Sequence, residues 1–327
     1  MNAHTILAAL LLAAFTGAVH AATEDHIDKR FKVAAAGKLT IKADRGDIDV
    51  TTGNEKEIHV EIIRAVKRGS DDQANRLLDS HQITFTPSGN NLSIEAQTPS
   101  SSKSIWSFNE PQLQVHYIVT IPKQFEVDFS TAGGNLKLGD LEGNARLRTA
   151  GGNISVGNIV GQVDAKTSGG NIQVNTAKGN VKIETAGGDL KVASVEGDLT
   201  GKTSGGNIKI GEVSGSTEVT TAGGNISLDA LGGTTSARTS GGNISAHFTH
   251  TPKSDCVLKT SGGDIKVTLP EAAALNIDAQ TSGGEVRTEF AEIKKGSSHL
   301  KTQINGGGSE LVLKTSAGNI KIGKSKS

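Results

Sequence analysis

The chain has 327 residues, room for about two domains by length alone, yet only 3% of them are aromatic while 41 are glycine. Lys plus Arg and Asp plus Glu both number 34, so no net charge steers the protein onto nucleic acid or anionic lipid. The single cysteine, Cys256, excludes an intramolecular disulfide and any cysteine-built metal or iron–sulfur site. In chain order, residues 6–15 come first, an apolar run followed by Ala18-Val19-His20-Ala21. That run is too short to span a bilayer and suits a signal-peptide core with a small-x-small cleavage site after Ala21. The expectation is export to the periplasm, the cell surface or the medium, with no transmembrane segment after cleavage of residues 1–21.

Residues 22–130 read as an N-terminal β-rich cap. Residues 38–43 and 46–50 look like a worn copy of the repeat found further on, and 58–66, 83–86, 92–96 and 113–121 are strand-like. Ser70-Asp71-Asp72 followed by Ala74, Leu77 and Leu78 predicts one short capped helix. Residues 98–111 form a Ser-rich loop that carries Trp106, the only tryptophan. Packing onto the cap's own strands is the commoner fate of such a residue; a ligand-stacking role is the sharper alternative.

From Thr131 the chain is periodic. Thr-Ala/Ser-Gly-Gly-Asn/Asp-Ile/Leu recurs at Thr131, Thr149, Thr167, Thr185, Thr203, Thr221 and Thr239 with steps of 18 residues, and at Thr260 and Thr281 with steps of 21. Ile304-Asn305-Gly306-Gly307 and then Thr315-Ser316-Ala317-Gly318-Asn319-Ile320 are degenerate copies that close the chain. Leu136, Ile154 and Ile172 alternate with Lys137, Ser155 and Gln173, and then with Leu138, Val156 and Val174. Period-two alternation is a strand with one buried face. A second turn at Gly143, Gly161 and their successors makes each repeat strand, turn, strand, turn. An 18-residue unit cannot bury its apolar face alone, so residues 131–323 are expected to stack as an all-β parallel β-helix, a β-solenoid with two-strand coils. The Gly-Gly pair is expected to supply positive φ at a tight corner. The Asn column from Asn135 is expected to form a hydrogen-bonded ladder interrupted by Asp189, Asp264 and Glu285.

Several chemistries are weighed against this frame. Calcium-binding nonapeptide rolls need Asp where Val156 and Val174 stand. An ice-binding face needs outward Thr-x-Thr arrays, whereas this Thr column is single and in the buried phase. His247, His250, Asp255 and Cys256 bring groups zinc accepts into the first lengthened repeat, but Pro252 favours a solvated loop. Asp164, Glu184 and Glu218 are scattered along one face, unlike the paired acids of carbohydrate-active β-helix enzymes. No cofactor is expected. Lys137, Lys191, Lys209 and Lys266, outward on the first strand, form a candidate surface-binding ladder, with ordinary solvated positions as the bland alternative.

The Thr-Ser/Ala-Gly-Gly-Asn-Ile repeat, with Gly46-Asp47-Ile48-Asp49-Val50 before it and Gly318-Asn319-Ile320-Lys321-Ile322 after it, resembles the bacterial putative-adhesin family, exported β-solenoid domains of unknown function. The resemblance implies an envelope or surface location and no cofactor, and it brings no catalytic residues. The expectation is a non-catalytic surface-interaction protein whose partner is an envelope or extracellular polysaccharide or protein, with no nucleic acid involved. A self-associating periplasmic scaffold is the alternative, since the filament-forming bactofilins have similar short coils. A carbohydrate-active β-helix enzyme is the distant third reading.

Overall fold

The computed structural model describes residues 23–34, 36–53, 56–98 and 111–325; the predicted export signal and Trp106 lie outside them. Two fourteen-stranded sheets enclose one continuous apolar core. Each 18-residue repeat is one coil, in which a strand of the first sheet, such as Ile154–Ile159, is followed by a strand of the second, Val163–Lys166. Coils pair in parallel without slippage, Ile154 on Ile172 and Val163 on Val181. Hydrophobic alternation fixes this register. Sliding by one residue would expose Ile154 and Val156 and bury Ser155, whereas Ile154, Val156, Val163 and Ala165 are all buried. The fold is a β-solenoid with a largely antiparallel N-terminal region.

The Thr column closes the corner from inside. Thr149 Oγ1 donates to the Gly134 carbonyl of the preceding coil (2.9 Å) and accepts from Gly152 N of its own (3.3 Å). The Gly-Gly pair acts differently from the expectation. None of the paired glycines from Gly133–Gly134 to Gly262–Gly263 has positive φ. The second glycine is needed because coils approach so closely there: a Cβ on Gly152 would lie 2.0 Å from the Gly134 oxygen. The first is unconstrained, since a Cβ on Gly169 would meet nothing nearer than 3.6 Å.

The ladder also differs. Each side-chain oxygen accepts the backbone N–H of the next coil, as in Asn153 N to Asn135 Oδ1 (2.9 Å). A carboxylate oxygen serves as well as an amide one. Asp189 therefore continues the ladder, its Oδ1 accepting Asn207 N (2.7 Å), and Asp264 does the same for Asn319 N (2.6 Å). Asp47 starts it, its Oδ1 accepting Asn135 N, and Glu285 ends it, its backbone N–H donating to Asn319 Oδ1 (3.1 Å).

At both ends spatial order departs from chain order. Gly37–Ala43 and Asp47–Gly53 form the coil beneath Phe125–Thr131 and Leu136–Leu138, with Ile41 beside Phe129 and Ile48 beside Leu136. Beyond it, Gln112–Pro122, Glu57–Lys67 and Thr23–Lys32 extend the first sheet, and Asn91–Gln97 and Gln82–Ser88 the second. The helix Asp71–Ser80 packs against this region, its N-terminus closed by the reciprocal Ser70–Gln73 capping box. At the other end, the last coil does not close the stack. Glu310–Thr315 and Ile320–Lys324 slot between the Thr260 and Thr281 coils, with Leu311 between Cys256 and Ile277. Asn305, Gly306 and Gly307 have positive φ and form a turn that carries the chain from the antiparallel edge strand His299–Ile304 across Leu275–Thr281 to Glu310–Thr315, not a solenoid corner.

Candidate interaction surface

Lys137, Lys191, Lys209 and Lys266 are all exposed in one row on the outer face of the first sheet. Lys191 lies directly beside Lys209, while Ser155 and Gln173, then Ser227 and Ser245, separate the others. The inserted last coil lengthens the row. Lys321 stacks on Lys266 and Arg287 on Lys321, placing three cations on three consecutive coils.

A second row was missed by sequence reasoning. It occupies the position before each corner threonine on the second sheet: Arg148, Lys166, Lys202, Arg238, Lys259 and Lys314, interrupted by Glu184 and Thr220. The residue preceding each Thr carries the signal; from sequence Arg148, Lys166, Glu184 and Lys202 read only as water-facing positions of a less regular second strand. Both rows flank the same Thr-x-Gly-Gly corner, one on each sheet, so this edge of the solenoid is basic. The opposite corner is acidic, bearing Asp140, Glu142, Glu196, Asp198, Glu212 and Asp229. There the Asn158 backbone N–H (2.8 Å) and its side-chain amide hold the Asp140 carboxyl below the usual range.

Compensation along the basic edge is uneven. Near the first coils Arg148 pairs with Asp164, and Glu184 takes Lys166 (3.1 Å) and Lys182 (3.2 Å). The Lys166 hydrogen bond holds the Glu184 carboxyl below its ordinary value. Two of the three scattered acids considered for catalysis are thus ion-pair partners. At the far end Arg287 pairs with Glu285, and Lys314 lies 4.0 Å from Asp278. Among the described residues, Lys137, Lys191, Lys202 and Lys209 in the earlier coils and Arg238, Lys259, Lys266 and Lys321 at the far end form no ion pair.

The four groups considered for zinc have separate tasks. His247 lies 3.9 Å from Asp229, and His250 Nδ1 bonds its neighbour Thr249 (3.1 Å). Asp255 Oδ1 accepts Glu310 N (2.8 Å), fixing the inserted coil, and buried Cys256 points into the core, where desolvation pushes its thiol up. Among the described residues, no group of three or more His, Cys, Asp or Glu gathers at one point. A depression of about 510 Å³ at the cap is lined by Arg45, Asp47 and His116. Asp47 is committed to Asn135 N and His116 to Asp49 (3.0 Å).

The fold and its repeated edge define a β-solenoid that displays polar rows on its outer faces. The Toastrack DUF4097 family matches residues 36–323, and the chain belongs to that family. No curated protein matches the chain in sequence. Among solved structures it is similar to a "putative cell adhesion protein" from Clostridium sporogenes, at 13% identity and TM-score 0.29, covering 93% of this chain and 100% of that one. A "putative lipid binding protein" from Parabacteroides distasonis is similar at 15% identity and TM-score 0.42, over 92% and 97% of the two chains. A "putative adhesin" from Bacteroides fragilis follows at 14% identity and TM-score 0.30, over 92% and 97%.

Proposed function

We propose that the chain is an exported, non-catalytic protein of the cell envelope that holds another surface, a polysaccharide or a protein, through its repeated outward rows. The observation that carries this reading is the outward polar row at one position per coil from Lys137 to Arg287, in which cations are interspersed with Ser and Gln. Side chains repeated at a fixed step of about 4.8 Å suit an extended, repetitive partner better than a small molecule. Asp164 and Glu184 are tied into ion pairs, and the ladder carboxylates Asp189 and Asp264 into backbone bonds, which suits binding without turnover. End-to-end scaffold assembly is the weaker reading. One edge is the charged strand Thr23–Lys32, and another is the three-residue strand Val286–Thr288, both features that discourage strand addition.

Protease shaving of intact cells, followed by fractionation, tests this. Removal of the mature chain by external protease is the expected result. A chain shielded in the periplasm would rule out adhesion to an external surface.

A further inference from the structure

We infer that the C-terminal third of the basic edge is a binding site for a linear polyanion, an acidic polysaccharide bearing carboxylate or sulfate groups. This site deepens the adhesion reading and rests on it. Four corners follow one another there in space, led by Thr239, Thr260, Thr315 and Thr281. Arg238, Lys259 and Lys314 flank them on the second sheet, and Lys266, Lys321 and Arg287 on the first. Lys314 stands beside Lys259, and Lys321 between Lys266 and Arg287, because the last coil is inserted between its two neighbours. Chain order hides this, since Lys266 and Lys321 are 55 residues apart.

Like charges one coil apart, at about 4.8 Å, repel. The same columns near the first coils avoid this with Asp164 and Glu184. Here the neighbouring outward row offers Ser236, Val257 and Val312 in place of acids, with Asp278 only at its end. Asp264 also lies on the corner, but its Oδ1 is engaged by the backbone N–H of Asn319. Four cations, Arg238, Lys259, Lys266 and Lys321, are left without a carboxylate partner among the described residues, and a bound anion would supply the countercharge.

The shape selects the class of anion. Between the two rows the corner is narrow and exposed, built of Ser240, Ser261, Ser316 and Ser282 with their glycines. A single extended chain lying along the stack axis meets ammonium groups from both sheets, and its hydroxyls reach serine hydroxyls. A lipid surface calls for a broad apolar or aromatic face at the contact, whereas only the half-buried Val257 and Val312 adjoin these cations.

Titration of the full mature chain with dextran sulfate, against neutral dextran of equal length, tests the site. The expected result is salt-sensitive binding to the sulfated polymer. Lys259→Gln/Lys314→Gln/Lys321→Gln should weaken it about tenfold or more. Lys178→Gln/Lys182→Gln/Lys253→Gln, the same charge change away from the ridge, should alter it less than about twofold. Equal loss in both triple variants, or no loss in the first, overturns the site. Equal affinity for neutral dextran overturns it while leaving glycan adhesion standing. Duplex DNA bound as tightly as dextran sulfate, with the same dependence on the first triple, overturns the polysaccharide assignment.

Discussion

Thr167 Oγ1 donates a 2.9 Å hydrogen bond to the carbonyl of Gly152, one coil away, and accepts Gly170 N of its own coil at 3.3 Å. The bond recurs in every regular coil, from Thr149 onto Gly134 to Thr239 onto Gly224. A buried hydroxyl thus joins two corners at the edge of the apolar core. Thr167→Val keeps the shape and removes both bonds, leaving buried backbone groups unpartnered. The expected cost is about 1–3 kcal/mol by urea unfolding, with Thr167→Ser recovering most of it. Equal stability of Val and wild type would show that the hydroxyl is idle.

The two corner glycines should behave oppositely. A Cβ on Gly170 would stand 2.0 Å from the Gly152 oxygen, a backbone atom held on both sides by the stack. Gly169 has room for one. Gly170→Ala is expected to cost more than about 2 kcal/mol, and Gly169→Ala to change stability by less than about 0.5 kcal/mol. Comparable losses at both positions would restore the explanation by backbone conformation.

Ladder oxygens should be exchangeable and their loss should not. Asp189→Asn keeps an acceptor for Asn207 N and should leave the thermal midpoint nearly unchanged. Asn171→Ala orphans the N–H of Asp189 and should cost about 1 kcal/mol. A large effect of Asp189→Asn would mean that charge, not the acceptor, matters there.

Acid should loosen the cap first. Asp44 is partly desolvated, which alone would raise its carboxyl. His81 at 3.5 Å, the Thr98 N–H at 2.9 Å and Arg45 at 3.3 Å outweigh that and hold it well below the usual carboxylate range. A depressed folded-state value means the stabilisation is present above about pH 4, the unfolded value, and is lost as pH falls below it. The unfolding midpoint of the wild type should therefore drop more between pH 6 and pH 3 than that of Asp44→Asn, in the order-of-magnitude sense of a single linked proton. Parallel pH profiles for the two would remove Asp44 from the acid response.

The solenoid was legible because every structural demand falls on a column. The inward phase of Ile154 and Val156, the buried Thr149 and the turn at Gly161 repeat often enough to be read without any coordinates. What escaped reading depends on neighbours across coils. The role of Gly170 is set by an oxygen 18 residues away, and Asp189 looks like an interruption until the bond is seen to need only an acceptor. The insertion of Glu310–Thr315 could not be seen at all, because its side chains fit the columns equally well at the end of the stack or one place inside it. The same blindness hid the six-cation ridge, of which only Lys266 was singled out from sequence.

The central claim is that this chain binds an extended acidic polymer and leaves it intact. Co-sedimentation of the purified mature chain with isolated acidic envelope polysaccharide, followed by sizing of the polymer, tests both halves together. The account predicts co-sedimentation that weakens as salt rises and a polymer of unchanged length. A shortened polymer, or protein left wholly in the supernatant at low salt, would contradict it.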